Sequence, residues 1–281
     1  MRLLTLIGAD LRSSWEILWR WYVGAAAMFA IMALMFQLQA SSLGHQAVAF
    51  SAGDYLVSFW AGIKQYTLMD GEPFRFPAAW ALAVLVGLCL TLGYPVRSAG
   101  GMGILTTVAC GSRWRWWLAK CTWTLIALAL YGLVAVSVAV LAAVVSGGTP
   151  GFTIHEELPT ILGFRPSQTA PGPYDPLPFF AALALVGVGL ALVQLALAMA
   201  FAAPVAFGCN VAALFLSAFY CSPWLVGNYL MAARSSVFMT GGMELWQALL
   251  AALFLGVASI VCGGLWFARK DLLAKGRKLW Q

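Results

Sequence analysis

The chain has 281 residues, of which 62% are apolar and only 9% are charged, whereas a soluble domain carries about 25% charged residues. Sixteen basic and ten acidic side chains cannot cover a globule of this size with polar surface. The composition therefore excludes a water-soluble enzyme and predicts an integral membrane protein. We interpret the net charge of +6 as attraction to anionic lipid rather than as a nucleic-acid interface.

The first twenty residues alternate apolar and polar side chains at helical spacing. The apolar stripe consists of Leu3, Leu4, Ile7, Leu11, Trp15, Leu18, Trp19 and Tyr22. Largely opposite lie Asp10, Arg12, Ser13, Glu16 and Arg20. The pattern predicts an amphipathic interfacial helix over 1–20 that lies along the inner membrane surface and runs into the first span. An ordinary flanking segment is the alternative interpretation.

Charge-free runs divide the rest of the chain into segments that meet the requirement of about 20 residues for one membrane crossing. Residues 176–233 carry no Asp, Glu, Lys or Arg, and this run is too long for one span, so we expect a break at Pro204. The sequence thus predicts an all-α, polytopic membrane protein with a six-span bundle over 21–268 and a basic tail over 269–281. The six spans are predicted near 21–38, 76–96, 121–146, 178–201, 205–226 and 245–268.

The distribution of basic residues predicts the orientation. With a cytoplasmic N-terminus, only Lys64, Arg75, Arg165 and Arg234 of the sixteen basic residues fall in outer segments. By the positive-inside rule, both termini are therefore predicted to be cytoplasmic. None of the six cysteines lies in a predicted outer loop, which makes a disulfide framework improbable.

The predicted spans contain no ionisable Asp, Glu, Lys, Arg or His, which disfavours an ion-coupled carrier. His155 and Glu156 begin a zinc-protease helix motif, but Pro159 stands where the second His is required. No P-loop motif occurs, so energy from ATP would have to come from a partner chain. Gln194 and Asn210 are polar residues within the spans, and such residues are more often interhelical hydrogen-bonding groups than substrate contacts.

Two further patterns concern helix packing and the inner surface. Ser259 and Gly263 form a small-xxx-small pair that permits close helix approach, within the chain or to a second copy. The predicted inner connection at 97–120 contains a glycine-flanked apolar segment, 102–110, and a basic-aromatic cluster, 111–117. The cluster is either an interfacial belt of Trp and Arg or the edge of a rigid inner helix that a soluble partner could push.

Several segments together resemble permease subunits of ATP-binding-cassette (ABC) exporters of the second (type-2) class, in particular small bacterial six-span members. In chain order the segments are 54–64, 72–80, 92–95, 111–120, 222–224 and 227–231, which follow the amphipathic N-terminal helix. The resemblance covers nearly the whole chain. One departure is Arg97, which begins a stretch where relatives are expected to carry an acidic residue.

The resemblance implies a coupling helix over about 98–111 that is seated in a cleft of a separate ATPase subunit, with the N-terminal helix packed beside it. The implied ATPase-coupling residues are Arg97, Gly101, Met102, Leu105, Gly111, Ser112, Arg113, Trp114 and Arg115. Residues 225–243 are expected either to re-enter the membrane from the outer side or to form a plain interfacial loop. The implied location is the bacterial cytoplasmic (inner) membrane, with both termini inside.

The resemblance also implies what the chain works with. This chain would hold no cofactor and no catalytic or metal site of its own, and ATP and Mg would be bound by the ABC-type ATP-binding subunit. A second permease copy or a sibling permease would complete the complex, embedded in membrane lipid. The cargo would be amphipathic, a peptide antibiotic first, then a drug or a lipid, and Gln194, Met199 and Asn210 are candidate residues of its path.

Two other classes of function stay open from the sequence. The chain could be a non-transporting membrane scaffold or assembly factor, whose N-terminal helix and basic-aromatic loop bind a cytoplasmic protein. An intramembrane enzyme is the third hypothesis, and the missing catalytic groups disfavour it.

Overall fold

The computed structural model describes residues 3–45, 48–66, 74–98, 111–164 and 169–269. Within these ranges the helices are α1 (Leu3–Ser42), α2 (Ala52–Phe59), α3 (Ala78–Ser98), α4 (Arg113–Val145), α5 (Leu158–Ile161), α6 (Leu177–Ala200), α7 (Ala203–Phe219) and α8 (Leu245–Arg269), with two 3-10 turns at Val226–Leu230 and Ala232–Arg234. The β pairings in the described part of the chain are two isolated bridges, Thr169 to Met239 and Ser235 to Met243. The predicted all-α class is confirmed.

Five helices, α1, α3, α4, α6 and α8, are long and apolar enough to cross a membrane. They coincide with five of the six predicted spans. The break predicted at Pro204 is present, because α6 ends at Ala200 and Pro204 lies in the first turn of α7. Helix α7 has only 17 residues and ends at Phe219, so the prediction that this span reaches residue 226 is wrong. The sixth crossing stays a prediction.

Helix α1 is continuous over 40 residues, with no boundary at residue 20. Its buried residues recur every three or four positions, which places them on one face: Leu6, Asp10, Ser14, Leu18, Tyr22, Ala25, Phe29, Ala33, Phe36 and Ala40. The interfacial position of the first twenty residues stays a prediction, and the buried face shares Leu18 and Tyr22 with the predicted apolar stripe. Leu4, Trp15 and Trp19 of the predicted apolar stripe are exposed, whereas Asp10, predicted on the polar side, is buried. The helix therefore turns a carboxylate toward its neighbours.

The core is built where α1 packs along α4. The buried face of α4 carries alanines at 127, 135, 139 and 143, and small side chains let two helix backbones approach closely. Aromatic rings of α1 fill the remaining space; Phe29 lies 5.3 Å from Tyr131, measured between ring centroids. Hydroxyl groups tie the helices together, because Tyr22 donates to the Ala127 carbonyl at 3.1 Å and Tyr131 donates to the Ala83 carbonyl of α3 at 2.6 Å.

The segment between α7 and α8 forms the two 3-10 turns, and residues 227–234 are buried. The first turn packs against α6 and α7. The chain before α3 pairs with the second turn, since the Ala232 and Ala233 amides each donate at 2.9 Å to the carbonyls of Trp60 and Ala61. Residues 225–243 therefore contain two short, buried 3-10 turns, and their re-entry into the membrane stays a prediction.

Candidate coupling site at the ends of α3 and α4

Most of the predicted coupling segment, including Gly101, Met102 and Leu105, lies outside the described residues. Its flanks are described. Arg97 is exposed in the last turn of α3. On the other side Gly111 has φ +63°, a left-handed conformation that glycine adopts without strain. Ser112 is the N-cap residue of α4, with extended backbone but no side-chain capping bond.

The basic-aromatic cluster divides into buried and exposed residues. Trp116 and Trp117 are fully buried. The Trp116 ring stacks on Phe267 of α8 at 4.6 Å, and the Trp117 indole donates to the Ile260 carbonyl at 2.9 Å. Arg113 also contacts α8, because its guanidinium donates to the Ala268 carbonyl at 2.8 Å. The prediction of an interfacial belt is therefore wrong for the two buried tryptophans, which join α4 to α8.

Two glycines of α8 make this contact possible. A Cβ atom at Gly263 would lie 2.4 Å from Cζ2 of Trp117, and one at Gly264 would lie 2.4 Å from Cζ3 of Trp114. Neither position tolerates a side chain unless an indole moves. Gly263 of the small-xxx-small pair thus serves a helix contact within this chain.

An ion pair that we did not predict from the sequence lies one helical turn further along α4. The Lys120 ammonium is 2.7 Å from Asp10 Oδ1, and the two residues are 1% and 6% exposed. The Tyr94 hydroxyl of α3 donates to the same carboxylate oxygen at 2.9 Å. The ammonium also lies 4.9 Å from the ring centroids of Tyr94 and Trp116, within the range of a cation–π contact. One buried charge pair therefore joins α1, α3 and α4.

Neighbouring polar groups extend this network along α1. Ser13 shares a hydrogen bond of 2.6 Å with the Tyr94 hydroxyl, and the Trp123 indole donates to the Ser14 hydroxyl at 2.9 Å. Two of the buried polar atoms, Asp10 Oδ2 and Trp116 Nε1, have no hydrogen-bond partner within the described part of the chain. The signal available in the sequence was the four-residue spacing of Leu6, Asp10, Ser14 and Leu18, which places Asp10 on the buried face.

The three candidate cargo-path residues lie in two different parts of the helix bundle. Gln194 of α6 donates to the Leu88 carbonyl of α3 at 2.7 Å and accepts from the Asn210 amide of α7 at 3.0 Å. Gln194 and Asn210 are buried. Met199 belongs instead to a separate apolar cluster that contains Trp116, Trp117 and Phe267. The geometry favours the interpretation of Gln194 and Asn210 as interhelical hydrogen-bonding residues.

At the opposite end of the bundle, Arg234 caps α7. Its guanidinium donates to the carbonyls of Ser217, Ala218, Tyr220 and Ile63 and to the Asn228 amide oxygen. Burial lowers the pKa of Arg234, and the nearby Cys221 opposes that shift; the guanidinium remains charged in proteins. A cation at a helix C-terminus satisfies carbonyls that lack partners within the helix.

Both histidines have carboxylate partners at this end. His155 Nδ1 lies 2.5 Å from Asp54 Oδ2, and His45 Nδ1 lies 2.8 Å from Glu157 Oε2. Asp54 is also part of the capping box of α2, where its carboxylate accepts from the Ser51 amide at 2.9 Å. The described residues contain no group of three or more His, Cys, Asp or Glu that could hold a metal ion. These pairs connect the segment after α4 to α2, through Asp54, and to the chain between α1 and α2, through His45.

The five long apolar helices make the chain a multi-pass membrane protein. No protein-family model, curated protein or solved structure matches it.

Proposed function

We propose that the chain is the permease subunit of an ABC exporter and moves an amphipathic cargo outward with ATP that a separate subunit hydrolyses. The observation that carries the proposal is the buried contact of Asp10, Lys120 and Tyr94. It joins α1 to α3 and α4, the two helices that residues 99–112 connect. A partner that pressed on this segment would therefore act on three helices at once.

Rigid packing would transmit such a displacement. Helix α1 is continuous and buried on one face from Leu6 to Ala40. Helix α4 contacts α8 through Arg113 and Trp117. Packed helices rearrange between discrete states rather than deform continuously. ATP binding in the partner would bias two arrangements of the bundle, as a ligand does when it binds one state better.

Co-purification from native membranes tests the docking. Arg97 and Arg115 are exposed on either side of the segment, so the double variant Arg97→Glu/Arg115→Glu should reverse charge there without disturbing the core. Arg113 is unsuitable, because it already binds the Ala268 carbonyl. Arg75→Glu, an exposed residue before α3, is the matched control. We expect a P-loop ATPase to purify with the wild type and the control and to be lost from the double variant.

Reconstitution tests the coupling itself. In liposomes, the permease should change the rate of ATP hydrolysis by that subunit, and an amphipathic peptide should change it further. An ATPase that binds but whose hydrolysis is the same with and without the permease would contradict the export function. A cytoplasmic partner without ATPase activity, lost from the same double variant, would support a scaffold or assembly factor instead.

A further inference from the structure

A groove runs between α1 and α3 on the outside of the bundle. Its lining residues are Arg20, Trp21, Gly24 and Ala25 of α1 and Val86 of α3, and its volume is about 250 Å³. Arg20, Trp21 and Gly24 are exposed and Val86 is half-buried, so a molecule beside the bundle can reach them. A Cβ atom at Gly24 would meet no atom within 4 Å. The groove is therefore open where α1 carries a glycine instead of a side chain.

Arg20 stands where α1 changes from a charged to a charge-free sequence. No Asp, Glu, Lys or Arg follows it until Asp54, and the charged residue that flanks an apolar span falls near the lipid headgroups. The Arg20 guanidinium lies 5.6 Å from the Trp19 ring centroid. Trp19 and Trp21 are each 45% exposed, and exposed tryptophans are enriched at the same depth.

The order of residues along α1 places the cation at one end of the groove. Gly24 follows Arg20 by one helical turn on the same face of the helix. Glu16 precedes Arg20 by one turn on that face, on the side away from Gly24, and the described lining residues include no carboxylate. The groove thus presents a positive charge at the predicted headgroup level and apolar surface beyond it.

We propose that this groove binds one anionic phospholipid, with its phosphate on Arg20 and part of an acyl chain against Gly24 and Val86. A guanidinium can donate two parallel hydrogen bonds to phosphate oxygens, and a cation–π contact does not use up its N–H donors. Basic pockets between membrane helices favour anionic headgroups for this reason. The site needs no ATPase, so it stands or falls independently of the proposed export function.

Photolabelling tests the proposal. The full chain is reconstituted in phosphatidylcholine nanodiscs with a trace of phosphatidylglycerol that carries a diazirine on its acyl chain, and the labelled peptides are located by mass spectrometry. We expect label within 20–25 and 82–90. Arg20→Gln should carry about fivefold less label, because one basic residue near a membrane surface contributes about that factor to the binding of anionic lipid.

A second variant tests the groove separately from the charge. Gly24→Leu should reduce the label by a similar factor, because its side chain would occupy the space beside Val86. Gly132→Leu is the matched control, since it makes the same change in α4 at a position where a Cβ also meets no atom within 4 Å. Arg12→Gln, an exposed charge two turns before Arg20, is the control for charge. Both controls should be labelled like the wild type, and equal elution on size exclusion checks that each variant is folded.

Four results would overturn the proposal. Equal labelling by phosphatidylcholine with the same diazirine chain would refute recognition of the anionic head. Full protection by millimolar glycerol phosphate would indicate a site for free anions. A loss in Arg12→Gln as large as in Arg20→Gln would indicate diffuse attraction to the basic face of α1. Disulfide-linked dimers of Gly24→Cys in native membranes, beyond those that the wild type forms, would place a second copy of the chain in the groove.

Discussion

The Lys120 ammonium contacts Asp10 Oδ1 at 2.7 Å, across 110 residues of sequence and with both side chains buried. Charges removed from water are tolerated when they are paired and hydrogen-bonded. A slide of α1 by one helical turn, about 5.4 Å, would separate the two charges. The pair therefore favours a single register between the first helix and α4, and Tyr94 extends that constraint to α3.

Replacing Asp10 with Asn should destabilise the bundle strongly. The buried Lys120 ammonium would lose the carboxylate that contacts it at 2.7 Å, and breaking one half of a buried pair costs about 3–5 kcal/mol. The free energy of unfolding, measured by titration with a denaturing detergent, is the readout. Glu16→Gln removes an exposed carboxylate from the same helix and should leave that free energy unchanged. The double variant Asp10→Leu/Lys120→Met should recover most of the loss, and a double variant no more stable than Asp10→Asn would contradict the argument.

Gly263→Ala should destabilise the contact between α8 and α4. The added methyl group would lie 2.4 Å from Trp117 Cζ2, and overpacking of this kind costs about 1–3 kcal/mol. Gly256→Ala is a matched control in the same helix, because a Cβ at Gly256 has no atom within 4 Å. The control should be as stable as the wild type or slightly more so, since Ala favours helix. Trp emission of the two variants reports whether the indole has moved, and identical spectra would speak against a forced displacement.

Arg234→Met should release the segment after α7. The change removes the guanidinium donors of four backbone carbonyls and of Asn228, and buried groups left without partners cost about 1–3 kcal/mol each. Hydrogen exchange of the amides in 217–234 should become at least about tenfold faster. Arg234→Lys keeps a charge but not the planar fork of the guanidinium, so its exchange rates should lie between those of the wild type and Arg234→Met. In the control Arg75→Met, at an exposed position, these amides should exchange as in the wild type. Protection of these amides in Arg234→Met that equals the wild type would refute the capping role.

Gln194 and Asn210 should be energetically coupled. A double-mutant cycle with Gln194→Leu and Asn210→Leu should give a coupling energy of about 1 kcal/mol, the size measured for interhelical hydrogen bonds in membranes. Unfolding by detergent titration supplies the four free energies. Met199→Leu, in the separate apolar cluster of Trp116, Trp117 and Phe267, should show no coupling to either residue. Coupling near zero between Gln194 and Asn210 would mean that the hydrogen bond does not contribute to stability.

Charge-free runs predicted α3, α4, α6 and α8 well, because a long apolar run has few alternatives to a membrane helix. Which side of α1 is buried could not be predicted in the same way. Its apolar stripe and its buried face share only Leu18 and Tyr22, since exposed Leu and Trp are acceptable beside lipid while a paired Asp10 is acceptable inside. The partner of Asp10 depended on a contact between distant segments, and nothing in the spacing around Lys120 indicated it. Arg234 was likewise predicted only as an outer charge, because a cap made by a distant side chain leaves no local pattern.

The guanidinium cap of α7 has a further consequence for the depth at which that helix ends. Its 17 residues rise about 25 Å at 1.5 Å per residue, which is less than the hydrocarbon thickness of about 30 Å. A helix that stops short within lipid would leave its last carbonyls without water, and each such group costs several kcal/mol. If α7 is the predicted sixth span, Arg234 and Asn228, supplied by the chain beyond the helix, would take the place of that water. The arginine would then allow α7 to end below the membrane surface.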